Sequence, residues 1–225
     1  HAGVIEGNLS DGNADNDVPK VAFAGIWTVQ STADLLQYNE SRSMGESTDG
    51  QGFDVDGGCY GTLVQYNYAH DNYGGAILLM QNVNGGVTVR NNISQNDGRY
   101  AINIGASDKA PYLNFKAYHN IIYTNASTSV ISFMATWEFL GTSSLGEMHN
   151  NIIYATGGAK ATNGNIYSYV TFRENAYYGL TNSKDSNPYT QDPQFKAPGT
   201  AGDGMLSLSG YALMETSPYK NWGIR

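Results

Sequence analysis

Val64-Gln65-Tyr66-Asn67 returns along the chain as Val89-Arg90-Asn91-Asn92, Ala117-Tyr118-His119-Asn120, Met148-His149-Asn150-Asn151 and Phe172-Arg173-Glu174-Asn175. Leu36-Gln37-Tyr38-Asn39 joins the set and Ile5-Glu6-Gly7-Asn8 opens it. The closing asparagines stand at 8, 39, 67, 92, 120, 151 and 175, in steps of 31, 28, 25, 28, 31 and 24 residues. A constant anchor with a variable step marks a structural repeat whose loops differ in length.

Each unit holds short alternating segments, such as Gly52-Phe53-Asp54-Val55-Asp56 and Thr62-Leu63-Val64-Gln65-Tyr66, parted by glycine or asparagine. Period-two alternation makes them strands. Strands this short cannot bury an apolar face alone, but they can by stacking on the next unit. The expected fold is therefore all-β, a parallel solenoid of about seven coils; at about 4.8 Å per coil the stack is roughly 30 Å long. Amides stacked from coil to coil would satisfy the buried backbone at each turn. A second asparagine follows the anchor by four or five residues at Asn13, Asn72, Asn96 and Asn125. Residues 1–183 carry the coils. Residues 184–225 lose the repeat and gain Pro188, Pro193, Pro198 and Pro218, which predicts an irregular C-terminal cap wrapping the last coil. No comparable cap precedes Val4, so the chain is expected to continue a longer protein or to meet another copy end to end.

Only 14% of the residues are charged, so the surface polarity comes from uncharged groups. Glycine, asparagine and tyrosine supply it, and these suit turns and strands rather than helices. A net charge of −8 argues against nucleic acid or an anionic membrane as partner and leaves neutral glycans open. The lone Cys59 forms no intrachain disulfide and reads as a small buried filler. No apolar run is long enough to span a membrane. His1 to Asn8 already read as repeat rather than as a signal peptide, so a mature or trimmed form is expected. Asn-x-Ser/Thr triplets at Asn8, Asn39, Asn92 and Asn125 read as by-products of the repeat.

Three segments stand out: Asp49-Gly50-Gln51-Gly52-Phe53-Asp54-Val55-Asp56-Gly57-Gly58, Val64-Gln65-Tyr66-Asn67-Tyr68-Ala69-His70-Asp71-Asn72 and Arg90-Asn91-Asn92-Ile93-Ser94-Gln95-Asn96-Asp97-Gly98-Arg99. They resemble bacterial secreted right-handed parallel β-helix proteins of the pectate-lyase-like superfamily. Asn175-Ala176-Tyr177-Tyr178-Gly179, Asp192-Pro193-Gln194-Phe195 and Ser217-Pro218 resemble the closing segment of such helices. The resemblance implies a right-handed, single-stranded β-helix that is secreted or at the cell surface and acts on, or binds, polysaccharide. It leaves lyase, hydrolase and non-catalytic roles open.

With Leu36, Val64, Val89, Ala117, Met148 and Phe172 inward, the row Gln37, Gln65, Arg90, Tyr118, His149 and Arg173 faces solvent on one sheet. Amides, guanidinium groups and an aromatic in line suit a sugar chain, and equally suit a solvated polar ladder. Asp54 and Asp56 are expected to point outward from one strand, about 7 Å apart. Glu46 and Asp49 lie just before them, with His70 and Asp71 later in the same coil. As a pair, Asp54 and Asp56 fit the acid and base of an inverting glycosidase. As a cluster, Asp49, Asp54 and Asp56 fit a Ca²⁺ that neutralises a uronate, as in the calcium-dependent lyases of the resembled fold. Acids beside Gly50, Gly52, Gly57 and Gly58 also fit plain turn chemistry. Neither a Gly-His-Gly nor an Arg-Ile-Lys segment of the polygalacturonase type follows.

A lyase needs a base, for which His70, His119, His149, Tyr73 and Tyr118 are candidates, and a positive group, for which Arg90 and Arg99 are. The expected groove runs between the Asp54/Asp56 coil and the Arg90/Arg99 coil. Trp137, beside Glu138 in a long step of the repeat, is a candidate to stack on a pyranose, and Trp222 lies in the cap. The rival reading is a non-catalytic solenoid whose polar rows bind glycan or a second copy.

Overall fold

The computed structural model describes residues 2–12, 23–46, 49–80, 86–106, 114–135, 146–162, 169–182 and 184–222. The first coil comprises β1 (Val4–Glu6), β2 (Leu9–Asp11) and β3 (Ala24–Thr28), and the second β4 (Leu35–Gln37), β5 (Glu40–Arg42) and β6 (Gln51–Val55). Then come β7 (Thr62–Gln65), β8 (Tyr68–His70) and β9 (Gly75–Leu79), followed by β10 (Val87–Arg90), β11 (Ile93–Gln95) and β12 (Ile102–Ala106). The fifth coil has β13 (Phe115–Tyr118), β14 (Ile121–Thr124) and β15 (Ser129–Ala135), and the sixth β16 (Gly146–His149), β17 (Ile152–Ala155) and β18 (Lys160–Thr162). The chain ends its coils with β19 (Val170–Arg173) and β20 (Ala176–Tyr178).

Each strand pairs in parallel with the strand three places on, which builds three sheets of seven, seven and six strands. The fold is the expected all-β parallel solenoid. Its coil count is slightly lower than expected: the solenoid closes about five turns, and among the described residues the third sheet has six strands where the other two have seven. All six residues placed inward on the first sheet, from Leu36 to Phe172, are at most 2% exposed and join one core with Phe53, Val55, Ile77 and Ile104. Cys59 packs in that core beside the Thr28 and Ser31 hydroxyls.

The asparagine anchors turn the chain from the first sheet to the second. Asn120 shows the pattern: its Oδ1 accepts from the Asn92 backbone N–H and Nδ2, and its own Nδ2 donates to Val89 O and to Asn151 Oδ1. The same bonds run from Asn8 through Asn39, Asn67, Asn92, Asn120 and Asn151 to Asn175. Asp185 then takes the next rung, its Oδ2 accepting from the Asn175 N–H and Nδ2 and from the Tyr177 hydroxyl. A carboxylate suits the end of a ladder because it accepts and needs no further acceptor above it.

The second ladder departs from expectation. Its fourth-coil rung is Asp97, not Asn96: Asp97 Oδ1 accepts from Asn72 N–H and Nδ2, while Ser94 donates to Oδ2. Asn96 instead takes a left-handed φ of 53° and accepts from the Asn125 N–H. Burial pushes the Asp97 carboxyl up to about 7. Asn13 lies outside the described residues.

The C-terminal segment does more than wrap the last coil. After Asp185 and Tyr189 bridge to the final strands, the chain runs back along the second sheet as far as the second coil. Tyr211 donates to Gln95 Oε1, Gln95 donates to Ala201 O, and the Gly204 N–H donates to Glu40 Oε1. The physical reason is the outer face of the second sheet, where Tyr68, Ile93, Ile121, Ile152, Tyr123 and Tyr154 form an apolar strip that must be covered. Phe195, Tyr211 and Tyr219 cover it and make a second core.

Replacing Asn120 by alanine orphans the Asn92 N–H and Val89 O inside the stack. At about 1–3 kcal/mol per buried orphan the expected loss is about 3–5 kcal/mol in urea unfolding. Asn8→Ala, at the exposed first rung, is expected to cost less than about 1 kcal/mol, and equal losses at the two sites would refute a cooperative buried ladder.

Candidate functional site

The outward row of the first sheet stands where the repeat puts it, with Glu6, Gln37, Gln65, Arg90, Tyr118, His149 and Arg173 in register. Its members hold one another. Gln37 donates to Glu6 Oε2 at 2.8 Å, Gln65 to Gln37 Oε1 at 2.9 Å, and Arg90 Nε to Gln65 Oε1 at 2.9 Å. Arg90 also reaches the Tyr118 hydroxyl at 3.3 Å, Tyr118 stacks on His149, and Arg173 pairs with Glu147 at 3.4 Å. Burial, followed by the nearby Arg90, lowers the His119 imidazole from its ordinary value. Burial, then Arg173, lowers that of His149.

The acids lie elsewhere. Asp54 sits on the third sheet in the row Trp27, Asp54, Leu78 and Asn103, on the face opposite Phe53 and Val55. That row is outward, as expected, but it is not open to water: Asp54 is 5% exposed and Leu78 fully buried. Burial, and then the charges of Asp56 and Asp49, push the Asp54 carboxyl up to about 8. Its Oδ1 has no hydrogen-bond partner among the described residues, nor has Asn103 Oδ1. Asp56 is half-buried and its Oδ1 accepts from the Gly57 N–H. Asp49 is half-buried as well, its carboxyl raised by burial and then by Asp56.

Tyr73 and Arg99 join this acidic side rather than the first sheet. They occupy the corner where the Gly74 N–H donates to Gly50 O, beside Asp49, and the Arg99 guanidinium lies 5.7 Å over the Tyr73 ring. The Tyr73 hydroxyl donates to Glu46.

His70 belongs to neither group. It lies on the second sheet, 4% exposed, with Nε2 3.1 Å from Glu40 and Nδ1 2.8 Å from Asp71. The expected groove uniting Asp54, Asp56, His70 and Arg90 is therefore not formed. A corner separates residue 56 from residue 62 and another separates 66 from 68, so Asp54, Arg90 and His70 lie on the third, first and second sheets and point in three directions.

Among the described residues, one group of three acidic or histidine side chains brings its ligand atoms within 4.8 Å: Glu40, His70 and Asp203. Asp49, Asp54 and Asp56 do not converge so closely. Arg42 already occupies the Glu40 group, reaching Asp203 at 2.6 Å, Asp11 at 2.8 Å and Glu40 at 3.4 Å. An arginine that pairs with all three acids at that point makes it a clasp for the C-terminal segment rather than a metal cage.

Trp137 lies outside the described residues. The indole that does stand at the acidic face is Trp27, paired in register with Asp54 and 52% exposed. Aligning Ile26-Trp27-Thr28 with Phe53-Asp54-Val55 in the sequence would have placed it there.

No family model matches the chain. A lacto-N-biosidase of Bifidobacterium longum subsp. longum is 27% identical over 172 residues, an alignment that takes in 73% of this chain and 10% of that protein. The chain thus resembles about a tenth of a much longer carbohydrate-active enzyme.

Proposed function

We propose that the chain acts on glycans as a glycosidase, with the outer face of the third sheet around Asp49, Asp54 and Asp56 as its site. The observation that carries this reading is the raised Asp54 carboxyl next to a second carboxylate and an exposed indole. A general acid must hold its proton at working pH and release it to the leaving oxygen, and burial among like charges provides the first requirement. Asp56 is the partner carboxylate. Two residues along a strand sets it about 7 Å away, a separation that leaves room for a water and favours inversion at the anomeric carbon. Burial keeps Asp54 protonated, and the like charges of Asp56 and then Asp49 add to it. Trp27 offers a flat apolar surface on which the C–H face of a pyranose can rest. The similarity to a lacto-N-biosidase supports a glycan substrate and makes oligosaccharides ending in lacto-N-biose the first to test. An extracellular location follows from that substrate class.

Incubation with lacto-N-biose-terminated oligosaccharides and a panel of aryl glycosides is expected to release reducing sugar without the absorbance near 235 nm of an unsaturated uronate (approximate wavelength). Asp54→Asn and Asp56→Asn are each expected to lower kcat/KM by about 100-fold or more. Trp27→Ala should raise KM by about tenfold and change kcat little, the mark of lost binding that is equal in ground and transition states. Full activity in both aspartate variants would remove the proposal.

The raised Asp54 carboxyl also predicts a pH-dependent stability. The unfolded chain releases this proton near 3.8 and the folded chain near 8, so the folded state binds more protons in between. Stability accordingly falls as pH rises through that window. In thermal melts Asp54→Asn should match the parent near pH 4 and exceed it progressively toward pH 8. A constant difference across the range would contradict the assignment.

A further inference from the structure

Every turn from the first sheet into the second places the residue before the anchor asparagine in the left-handed region. At five of these seven corners that residue is Gly7, Asn91, His119, Asn150 or Glu174, with φ between 54° and 67°. Glycine and asparagine are the residues that adopt this conformation readily. In the second and third coils it is Tyr38 and Tyr66, both at φ 54°. A bulky aromatic is an outlier in that region; the turn, which holds His119 and Glu174 there as well, tolerates a tyrosine but does not select one.

Nor are they explained by the core. Tyr38 is 51% exposed and Tyr66 39%, and neither hydroxyl bonds to another described residue. Their rings stack at 5.3 Å between centroids, 7° from parallel, and form an apolar ridge along the solenoid axis. Gln37 and Gln65 immediately precede them on the first sheet. A primary amide offers two N–H groups and two lone pairs. Among the described residues the ladder uses one N–H of Gln37 and of Gln65, and one lone pair of each, which leaves each amide one further donor and one further acceptor. The outer ring face of such a stacked pair, bordered by amide groups, matches a pyranose, whose C–H face is bordered by hydroxyls. The four residues bring no charge of their own, and the charges at the two ends of their row, Glu6 and Arg90, are opposite in sign, so the matching sugar is neutral.

We propose that Tyr38 and Tyr66, with Gln37 and Gln65, form a second carbohydrate-binding platform for neutral pyranose units. It lies on the edge shared by the first two sheets, across the coil from the third sheet and its acids. It needs no carboxylate and stands independently of the hydrolytic reading. Two separated sites on one rigid body would hold a polymeric glycan while another segment or chain lies at the acids, which raises the effective concentration of substrate.

The test is native affinity electrophoresis of the chain in gels containing laminarin, xylan, galactan or mucin, compared with the double variant Tyr38→Asn/Tyr66→Asn. Asparagine accepts the left-handed turn, as Asn91 and Asn150 show, so the corner is preserved. At least one polysaccharide is expected to retard the parent, and the double variant should bind it about tenfold or more weakly. Its thermal melt and its rate on a small aryl glycoside should stay unchanged. Equal retardation of both proteins overturns the proposal, as does a parent that no gel retards. A lowered melt with retained glycan binding also overturns it, by making the pair a structural stack. Loss of retardation without any detectable hydrolysis would instead leave the platform standing and sink the acid pair.

Discussion

The structure depends on one repeated problem and its answer: a backbone that turns sharply inside a stack leaves donors and acceptors which water cannot reach. The asparagine side chain makes four hydrogen bonds at once, accepting a backbone N–H and an amide N–H from the coil before and giving its own N–H groups to a carbonyl and to the next amide. Each rung is correct only if the neighbouring coils stand in register, so the ladder selects parallel pairing and rejects slippage. It also offsets the left-handed residue that precedes every anchor, a strain of about 1–2 kcal/mol for a non-glycine residue. The ladder ends where a different chemistry is needed, at Asp185, which accepts three hydrogen bonds on one oxygen.

Register then decides what can meet what. Residues that share a column touch across 4.8 Å spacings, whereas residues that share a coil are parted by corners. Gln37, Gln65, Arg90 and Tyr118 form one connected column although 81 positions separate the first from the last. Asp54 and His70 are 16 apart and belong to different faces. Function on such a scaffold is therefore assembled down a face or at a corner. The Trp27–Asp54 pair, the Tyr73–Arg99 corner and the Tyr38–Tyr66 ridge each join residues of adjacent coils.

The anchors, the inward row and the outward row of the first sheet were legible because each obeys a single local rule, strict alternation ending in asparagine. The outer face of the second sheet was not. Ile121-Ile122 and Ile152-Ile153 are apolar on both sides of the strand, which is the pattern of a strand covered twice, but nothing local says by what. The cover comes from Phe195 and Tyr211, in a segment without periodicity. The same gap explains Asp54. Alternation correctly turns it outward, yet its burial depends on what lies over the third sheet, a tertiary fact that no strand pattern encodes. Asp97 escaped for a smaller reason: it and Asn96 are adjacent, and only the φ of the turn says which one faces inward.

Burial also changes what the net charge of −8 means. That figure counts Asp54 and Asp97 as ionised, whereas carboxyls raised to about 8 and about 7 are largely or half protonated at neutral pH. The acidic face is thus less negative than its composition implies, and it becomes more negative only when a proton leaves. A divalent cation needs that proton gone, so the burial that protects Asp54 opposes metal binding at the same place. A neutral sugar has the opposite effect. Resting on Trp27 it excludes more water from Asp54, which deepens the preference for the protonated form and readies that carboxyl to give its proton to a glycosidic oxygen.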